Sequence, residues 1–293
     1  MVNWEDAKIH ILTHALHYAT AVFEGIRCHD TNDGPAIFRM SDHVRRLLNS
    51  GKMYHMNFEY SGQEIKLAII ETIKANKVSE CYIRPIAYYG YGKMGVNPLP
   101  NKVSVGIALW DWDEYLSHSP GEEGVKAIIS TWVKIDSRSL PVLAKATANY
   151  ANSALARVEA IKSGVDEAIL LNHNGMVAEG TAENVFIVSN NTLMTPPVTA
   201  GALDGITRST ILEIANKNGI EFRICEISRE EMYIADEVFL TGTAAGIKAV
   251  TEIDRIRISD GRIGNLTRKL QIAYRDIVHG RNKIYDRWLT YIN

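Results

Sequence analysis

The sequence has little cysteine, no long apolar run and almost no net charge. Its three cysteines, Cys28, Cys81 and Cys225, form no CxxC pair, which disfavours a disulfide framework or a zinc site. No apolar run reaches membrane-spanning length, and no basic segment precedes an apolar one at the start, so no signal peptide is expected. A net charge of −2 gives no electrostatic reason to expect nucleic acid or a membrane surface as partner. These absences favour a cytoplasmic globular protein.

The chain of 293 residues is long enough for one large or two ordinary domains. In its first part, strands are predicted in GPAIFRM, ECYIRPIAYYG and KVSVGIALWDW. Ser41 is expected to cap a helix through DHVRRLLNSGKMYHM, and Ser61 to begin a capping box for GQEIKLAIIETIKAN. The segment SHSPGEEG, 117–124, has Pro, Gly and Ser without periodicity, so it is predicted to link a domain at 1–116 to a domain at 125–293.

The second part mixes strands and helices without regular βαβ alternation, which argues against a doubly wound fold. Short strands are predicted in VKAIISTWVK, EAILLN, MVAEGT, NVFIVSN, TLMTPP and EVFLTGTAAG. Other helices are predicted in GITRSTILEIANKNG, after a capping box at Ser228, and at about 266–278. One more helix, ended by Gly164, is predicted from apolar residues at helical spacing, namely Ala151, Leu155, Val158 and Ile161.

Lys145 stands among small uncharged residues, in VLAKATANY, where an alanine-rich helix begins. It is either a surface lysine at the helix entrance or a lysine kept in a dry pocket for covalent chemistry. Desolvation lowers the pKa of a lysine, so a buried amine can be neutral and act as a nucleophile.

Two segments of small residues follow a pattern typical of ligand-binding turns. In LDGITRST, 203–210, a glycine leads into a helix whose first turn carries hydroxyl groups, which suits a phosphate group. In LTGTAAG, 240–246, glycine and alanine after a strand let a ligand approach the backbone closely. Taken alone, each segment is better explained as an ordinary helix cap or turn.

Two charged residues lie in apolar surroundings. Glu179, in MVAEGTAEN, needs a partner if it is buried; that partner could be a structural arginine or a protonated ring nitrogen. Arg84, in the aromatic strand YIRP, could form a structural ion pair or bind a carboxylate, whose shape its planar guanidinium matches.

Two further motifs point elsewhere. GYGKMG, 90–95, matches the dinucleotide fingerprint, but the prolines in VNPLP stop the helix that a pyrophosphate needs, so a loop over a pocket is favoured. His14 and His17 have no nearby acidic or Cys partner, so packing or hydrogen bonding is expected and no metal.

A lysine in an apolar pocket, a phosphate turn, a buried carboxylate and a nearby phenol together fit one cofactor, pyridoxal phosphate. The lysine can form a Schiff base, and the carboxylate can keep the pyridine nitrogen protonated so that the ring accepts electrons. The phenol of Tyr150 can hydrogen-bond the ring hydroxyl, and the helix entrance can hold the phosphate.

With these motifs in place, the chain resembles branched-chain amino-acid aminotransferases of the fold-type IV class. The resemblance covers essentially the whole chain and rests on HALHYATAVFEGIR, YIRP, KMGVNP, AKATANY, AEGTAEN, GITR and GTAAG, in family order and spacing. It implies an α+β or α/β protein with a small α/β domain, a larger domain with a β-barrel-like core, and the cofactor between them.

The resemblance also implies roles at matching positions of the cofactor site. Lys145 is implied to be the Schiff-base lysine, Tyr150 to bind the ring hydroxyl and Glu179 to bind the pyridine nitrogen. The phosphate is implied to bind Arg46, the turn formed by Leu203, Ile206 and Thr207, and the hydroxyl of Thr243.

The substrate site follows from the same resemblance. The implied ligands of the α-carboxylate are the amides of Thr243 and Ala244, with Tyr82. The implied pocket for a branched side chain is lined by Phe23, Tyr18, Tyr82 and Trp112. The implied ligands of the distal carboxylate of glutamate are Arg84, Tyr18 and Tyr115. In this family Tyr18 comes from a neighbouring subunit, so a homo-oligomer, a dimer or a hexamer of dimers, is expected.

The resemblance therefore implies transamination of leucine, isoleucine and valine with 2-oxoglutarate. Besides further copies of the chain, the expected partners are amino acids and 2-oxo acids, and no nucleic acid or membrane is expected. Lys145 would move the α-proton. The chain departs from the family in starting after its usual first strand, in Thr147 and Ala148 where glycines are common, and in Gly246 where glutamate is common. The alternatives are a D-amino-acid aminotransferase or aminodeoxychorismate lyase of the same fold, and a non-catalytic carrier of the cofactor.

Overall fold

The computed structural model describes residues 1–111 and 124–292. Its α-helices are α1 His14–Tyr18, α2 Met40–Met53, α3 Gly62–Asn76, α4 Thr147–Lys162, α5 Ile206–Lys217, α6 Arg229–Ile234 and α7 Asn265–Val278. Its strands are β1 Ala21–Phe23, β2 Ile26–His29, β3 Ala36–Phe38, β4 Cys81–Tyr89, β5 Val103–Trp110, β6 Val125–Ile129, β7 Glu167–Leu171, β8 Val177–Gly180, β9 Asn184–Ser189, β10 Thr192–Thr195, β11 Phe222–Ile224, β12 Glu237–Gly242, β13 Gly246–Ile253, β14 Ile256–Arg257 and β15 Leu289–Tyr291. Short 3-10 turns lie at Trp4–Asp6, Val198–Ala200 and Lys283–Trp288.

The chain forms two compact units. The first comprises the described residues of Met1–Trp112, Ala144–Ala148 and His279–Asn293, and the second those of Asp113–Leu143 and Asn149–Val278. The predicted linker at 117–124 lies outside the described residues except for Gly124, so the division at that segment stays a prediction. Among the helices that the structure describes, none is both long and apolar enough to cross a membrane.

The first unit is built on an antiparallel six-stranded sheet in the order β1-β4-β2-β3-β15, with β5 paired to β4. Helices α2 and α3 bury Leu47 and Ile69 with Ile26 and Ile83 of the sheet in one apolar core. Burial of such side chains stabilises the unit by about 1.5–3 kcal/mol each. The sheet is therefore closed on one face by two helices, and α2 carries Arg46 from this core.

The two helices begin for different reasons. α3 starts at the predicted capping box, because Ser61 accepts from the backbone of Glu64 while the Glu64 side chain accepts from the backbone of Ser61. α2 starts one residue before Ser41, at Met40, after Arg39 in the left-handed conformation. The expectation that Ser41 caps this helix is wrong, because Ser41 already lies inside it.

The second unit contains a nine-stranded mixed sheet in the order β11-β10-β9-β12-β13-β6-β7-β8, with β14 paired to β13. Strand β6 runs parallel to both β13 and β7, whereas β7–β8, β9–β12 and β12–β13 are antiparallel. A core cluster includes Val125, Ile169, Val185 and Leu240. The end of β8 carries Glu179, and the turn between β12 and β13 carries Thr243 and Ala244, three of the residues predicted to bind ligands.

Helix α4 has the predicted position but buries a different face. The apolar residues that predict the helix, Leu155, Val158 and Ile161, are exposed. The buried side chains are smaller: Asn149, Ser153, Ala156 and Ala160. Small residues on the inner face let the helix backbone approach β7, whose Ala168 and Leu170 share a core cluster with Ala156 and Ala160.

Candidate active site

Lys145 belongs to the first unit, where its backbone is fixed on both sides. The N–H of Phe23 donates to the Lys145 carbonyl at 2.9 Å, and the N–H of Lys145 donates to the Ser50 hydroxyl at 3.0 Å. The next residue, Ala146, forms a bridge to Val22 of β1. The lysine is therefore held as an extension of the sheet rather than on a free loop.

The Lys145 amine is set for nucleophilic chemistry. Its Nζ lies 5.0 Å from the centre of the Phe23 ring. Burial and the positive charge of Arg46 together lower the pKa of Lys145 to about 8, against the opposing effect of Glu24. Near neutral pH a useful fraction of the amine is therefore unprotonated, which a solvent-exposed lysine does not offer. The dry-pocket alternative for Lys145 is the one that this geometry supports.

Glu24 is close enough to affect the charge of this lysine, and its carboxylate binds two other side chains. It is 0% exposed, and its carboxylate accepts from Arg46 through Nε at 2.6 Å and Nη2 at 2.8 Å. Its other contact is with His43 Nδ1, at 2.7 Å from Oε2. Burial alone raises the pKa of Glu24, but Arg46 and His43 outweigh it and lower the pKa to about 2. Arg46 is therefore clamped by a permanent carboxylate, a partner that the sequence did not reveal.

Arg84 is enclosed by aromatic rings. Its guanidinium carbon lies 4.7 Å from the ring centre of Phe23, 5.4 Å from that of Tyr82 and 5.5 Å from that of Trp110. Nη2 donates to the Tyr82 hydroxyl at 3.4 Å, whereas the buried Nε has no hydrogen-bond partner in the described part of the chain. A buried donor without a partner is costly unless a ligand satisfies it. The carboxylate-binding alternative for Arg84 is thus favoured, because the described residues offer its buried Nε no acceptor.

The remaining aromatic residues of the predicted substrate site have different outcomes. Tyr18 ends α1, packs on His14 at 4.6 Å between ring centres, and is 38% exposed. Trp112 and Tyr115 lie outside the described residues. The motifs did not single out Trp110, whose ring centre lies 5.0 Å from that of Tyr82. Its position at the end of an aromatic strand was the available signal.

His14 anchors the loop that follows GYGKMG. Its Nε2 lies 2.7 Å from the carbonyl of Gly95, and its Nδ1 lies 2.8 Å from the hydroxyl of Thr20. Residues 96–102, directly after Gly95, form no helix, as the two prolines predict. The loop is therefore held by a hydrogen-bonding histidine.

Glu179 lies in the second unit at the end of β8 and is 8% exposed. Its Oε1 accepts from the ammonium of Lys134. Its Oε2 accepts from the backbone N–H of Leu203 at 2.9 Å. The partner of this carboxylate within the chain is thus a lysine, where the sequence suggested an arginine or a ring nitrogen.

The other glutamate of the same motif has a structural environment. Glu183 is buried near Glu167, and burial and that second carboxylate raise its pKa well above the ordinary value. Its side chain accepts from the N–H of Ala182 at 3.0 Å and its carbonyl accepts from Gly180 at 2.7 Å. Glu183 therefore closes the turn between β8 and β9.

The predicted phosphate turn leads directly into α5. Asn184 donates to the Leu203 carbonyl at 2.9 Å, and Gly205 is the N-cap of the helix. A Cβ on Gly205 would lie 1.8 Å from the Asn184 side-chain oxygen, so only glycine fits there. Ile206 and Thr207 then form the first turn, where backbone N–H groups and the helix dipole attract an anion.

The second predicted turn and Tyr150 are also in this unit. Thr243 and Ala244 lie in the three-residue turn that joins β12 to β13, where Gly242 pairs with Gly246. Gly246 has a φ of 64°, which glycine adopts without strain. Next to this turn the Thr241 hydroxyl is buried and has no partner in the described part of the chain. Tyr150 lies in the first turn of α4.

The structure therefore distributes the predicted residues over two sets. The first unit brings together Phe23, Arg46, Tyr82, Arg84 and Lys145. The second joins Glu179, Leu203 and the start of α5 through direct hydrogen bonds. The roles assigned to these residues stay predictions.

Comparisons with known proteins identify the family. The model of the amino-transferase class IV family matches residues 21–253. The branched-chain-amino-acid aminotransferase of Escherichia coli K12 is 42% identical over 294 residues, covering 100% of this chain and 95% of that protein. The structure of the branched-chain aminotransferase from the archaeon Thermoproteus uzoniensis with norvaline has a TM-score of 0.95 at 41% identity, covering 100% of this chain and 96% of that one.

A third relative, the Thermobaculum terrenum branched-chain amino acid aminotransferase in its PLP-form, has a TM-score of 0.93 at 38% identity, covering 100% and 95% of the two chains. Similarity at this level over full length confirms the predicted fold class, a two-domain fold-type IV aminotransferase. It also confirms the resemblance on which the site assignments depend. The chain belongs to the class IV aminotransferases.

Proposed function

We propose that the chain is a pyridoxal-phosphate-dependent aminotransferase that exchanges the amino group between branched-chain L-amino acids and 2-oxoglutarate. The observation that carries this proposal is that one unit contains both Lys145 and Arg84. The pKa of Lys145 is lowered to about 8, and the buried Nε of Arg84 lacks a partner among the described residues. The first is the nucleophile that the cofactor needs. The second is a carboxylate ligand that a carrier protein would not need.

The donor groups present fit the cofactor. Bound pyridoxal phosphate supplies an aldehyde that condenses with amines and a ring that accepts electrons. The start of α5 at Ile206 and Thr207, with Arg46 and Thr243, would hold the phosphate. Tyr150 would hydrogen-bond the ring hydroxyl, and Glu179, buried on β8, would bind the ring nitrogen.

Lys145 would do the proton chemistry. With a substrate bound, its free amine would be a base near Phe23, Arg46 and Tyr82. A pKa of about 8 suits both removal of the α-proton and its return, because a general base works best near the ambient pH.

The substrate would be bound at two ends. The α-carboxylate would bind the backbone of Thr243 and Ala244, with the Tyr82 hydroxyl. The apolar walls formed by Phe23 and Tyr82, with Tyr18 and Trp112, would take a branched aliphatic side chain. When glutamate is bound, its distal carboxylate would meet Arg84, with Tyr18 and Tyr115. The same residues would therefore serve both substrates of the cycle.

Tyr18 would reach the site from a second copy of the chain, so we also propose a homo-oligomer, a dimer or a hexamer of dimers, acting in the cytoplasm. Supporting this, α1 exposes Leu16 and Tyr18, and Leu12 just before it is also exposed. Sedimentation velocity of the wild type and of Leu16→Glu tests it. A monomeric wild type contradicts the proposal, and dissociation of Leu16→Glu supports it.

The proposal is tested by visible absorption of the purified holoenzyme with L-leucine. The yellow band of the bound cofactor should be lost with L-leucine and return with 2-oxoglutarate. Lys145→Ala should abolish turnover, whereas Lys126→Ala, an exposed lysine on β6, should not. A band that ignores L-leucine and answers D-leucine would move the function to a D-amino-acid aminotransferase. A band that answers neither, with no turnover, would leave a carrier.

Arg84→Ala separates the two substrates. It should lower kcat/KM for glutamate and 2-oxoglutarate by about 10–100-fold, the size expected for hydrogen bonds to a charged group. The value for leucine should change little. Arg84→Lys is the matched control, because it keeps the charge but loses the planar fork and should recover part of the loss. Equal losses for leucine and glutamate would contradict the assigned role.

A further inference from the structure

Lys134 is a buried lysine in the second unit to which the family motifs assign no role. It is 7% exposed. Its backbone N–H donates to the Leu171 carbonyl at 2.9 Å, which ties it to the end of β7. Its stem packs at Gly201, where an added Cβ would lie 3.4 Å from the Lys134 Cγ. Backbone and stem are thus both fixed, and the ammonium has a defined position.

That ammonium holds one oxygen of the Glu179 carboxylate, while the backbone holds the other. Lys134 Nζ donates to Oε1, and the N–H of Leu203 donates to Oε2 at 2.9 Å. The two donors come from different segments of the chain, one after β6 and one before α5. A carboxylate held by both oxygens cannot rotate about its last bond without losing one of these contacts.

The nearby Glu167 is a structural carboxylate of the same unit, and its hydrogen-bond donors can be compared with those of Glu179. It is buried on β7 and accepts from Arg157 at 2.9 Å, from the Thr181 hydroxyl at 2.7 Å and from the N–H of Ala168 at 2.8 Å. A carboxylate has about four acceptor sites. Among the described residues, Glu167 uses three of them. Glu179 accepts from two donors of the same described residues, so it keeps acceptor capacity while its orientation is fixed.

We infer that Lys134 is a positioning residue that orients the Glu179 carboxylate toward the ring nitrogen of bound pyridoxal phosphate; this rests on the proposed function. A buried ion pair is a weak source of stability, because apolar replacements of both partners are often neutral. The same pair is effective at fixing a direction, since an ammonium and an N–H at its two oxygens leave the carboxylate one orientation.

The test compares Lys134→Met, Lys134→Arg and the control Arg157→Met, which removes the cation of the structural carboxylate. The readouts are the ¹⁵N resonance of ring-labelled pyridoxal phosphate in each holoenzyme, the dissociation constant of the cofactor, and the Tm of the cofactor-free protein. Lys134→Met should move the resonance toward the unprotonated position. It should also weaken cofactor binding by about 10–100-fold, as loss of an outer partner does at metal sites.

Lys134→Arg should restore both readouts to within a few-fold of wild type. Arg157→Met should lower the Tm and leave the resonance unchanged. If Lys134→Met lowers only the Tm, or moves the resonance toward fuller protonation, the inference is overturned. If Lys134→Met fails to fold, Lys134→Leu, which also lacks a donor, replaces it under the same criteria. A wild type that binds no pyridoxal phosphate would instead refute the proposed function.

Discussion

Replacing Glu24 by Gln should destabilise the protein in a pH-dependent way. The carboxylate is buried, and Arg46 and His43 hold its pKa near 2, against 4.5 for a free glutamate. Each unit by which the pKa differs between the folded and the unfolded state changes the free energy of unfolding by about 1.4 kcal/mol. The charged form of Glu24 therefore contributes about 3 kcal/mol to the free energy of unfolding at pH 7. This contribution is large against a typical total of about 5–15 kcal/mol.

The sign of the pH dependence follows from the lowered pKa. Because the folded value lies below the unfolded one, the stabilisation is complete above pH 4.5 and is lost as the pH falls toward 2. The difference between Glu24→Gln and wild type should therefore be full at pH 7, and it should shrink steadily below pH 4.5.

Urea unfolding of both proteins, followed by tryptophan fluorescence at pH 7 and at pH 3.5, measures this difference. The control is Glu80→Gln, which removes the exposed partner of Arg27 in the same unit and should change little, because surface ion pairs contribute little. An unchanged urea midpoint for Glu24→Gln at pH 7 would refute the reasoning. A loss of equal size at both pH values would attribute the effect to packing instead of charge.

Three further predictions concern the amine, the phosphate turn and the thiols. Stopped-flow absorbance should show that cofactor-free protein captures pyridoxal phosphate about tenfold faster per pH unit up to pH 8, then no faster, because the neutral form of Lys145 is the nucleophile. Gly205→Ala should weaken cofactor binding in a fluorescence titration and destabilise the protein by about 1–3 kcal/mol, because the added methyl would lie 1.8 Å from the Asn184 side-chain oxygen. Adding Asn184→Ala to this variant should recover part of the loss. A thiol reagent should label Cys225 in the native protein and leave the two buried cysteines unlabelled, and prompt labelling of all three would contradict this.

Local signals predicted much of the fold because the forces concerned are local. The capping boxes at Ser61 and Ser228 lie where the sequence indicates, since both partners of each are three residues apart. The start of α2 was misplaced because Arg39 adopts a left-handed conformation that its side chain does not signal. The buried face of α4 was also unforeseen, since Leu155 and Val158 are among its most apolar residues yet lie outward.

The site could be predicted as a set of residue types but not as a network. Motif order singled out Lys145, Glu179 and Arg84. The partners that hold or charge such groups are distant in sequence: Lys134 is 45 residues from Glu179, and Arg46 is 22 residues from Glu24. Such contacts form only when the sheets bring separate strands and helices together, so no short pattern announces them.

The backbone of Leu203 connects two sets of groups that are proposed to bind the cofactor. Its N–H donates to Glu179, which is proposed to bind the ring nitrogen. Its carbonyl accepts from Asn184 just before α5, whose start is proposed to bind the phosphate. A ligand that orders one of these two groups reduces the conformational entropy lost when a second ligand binds at the other. Cofactor fragments should therefore bind cooperatively: inorganic phosphate should strengthen the binding of unphosphorylated pyridoxal, and pyridoxal should strengthen that of phosphate by the same factor.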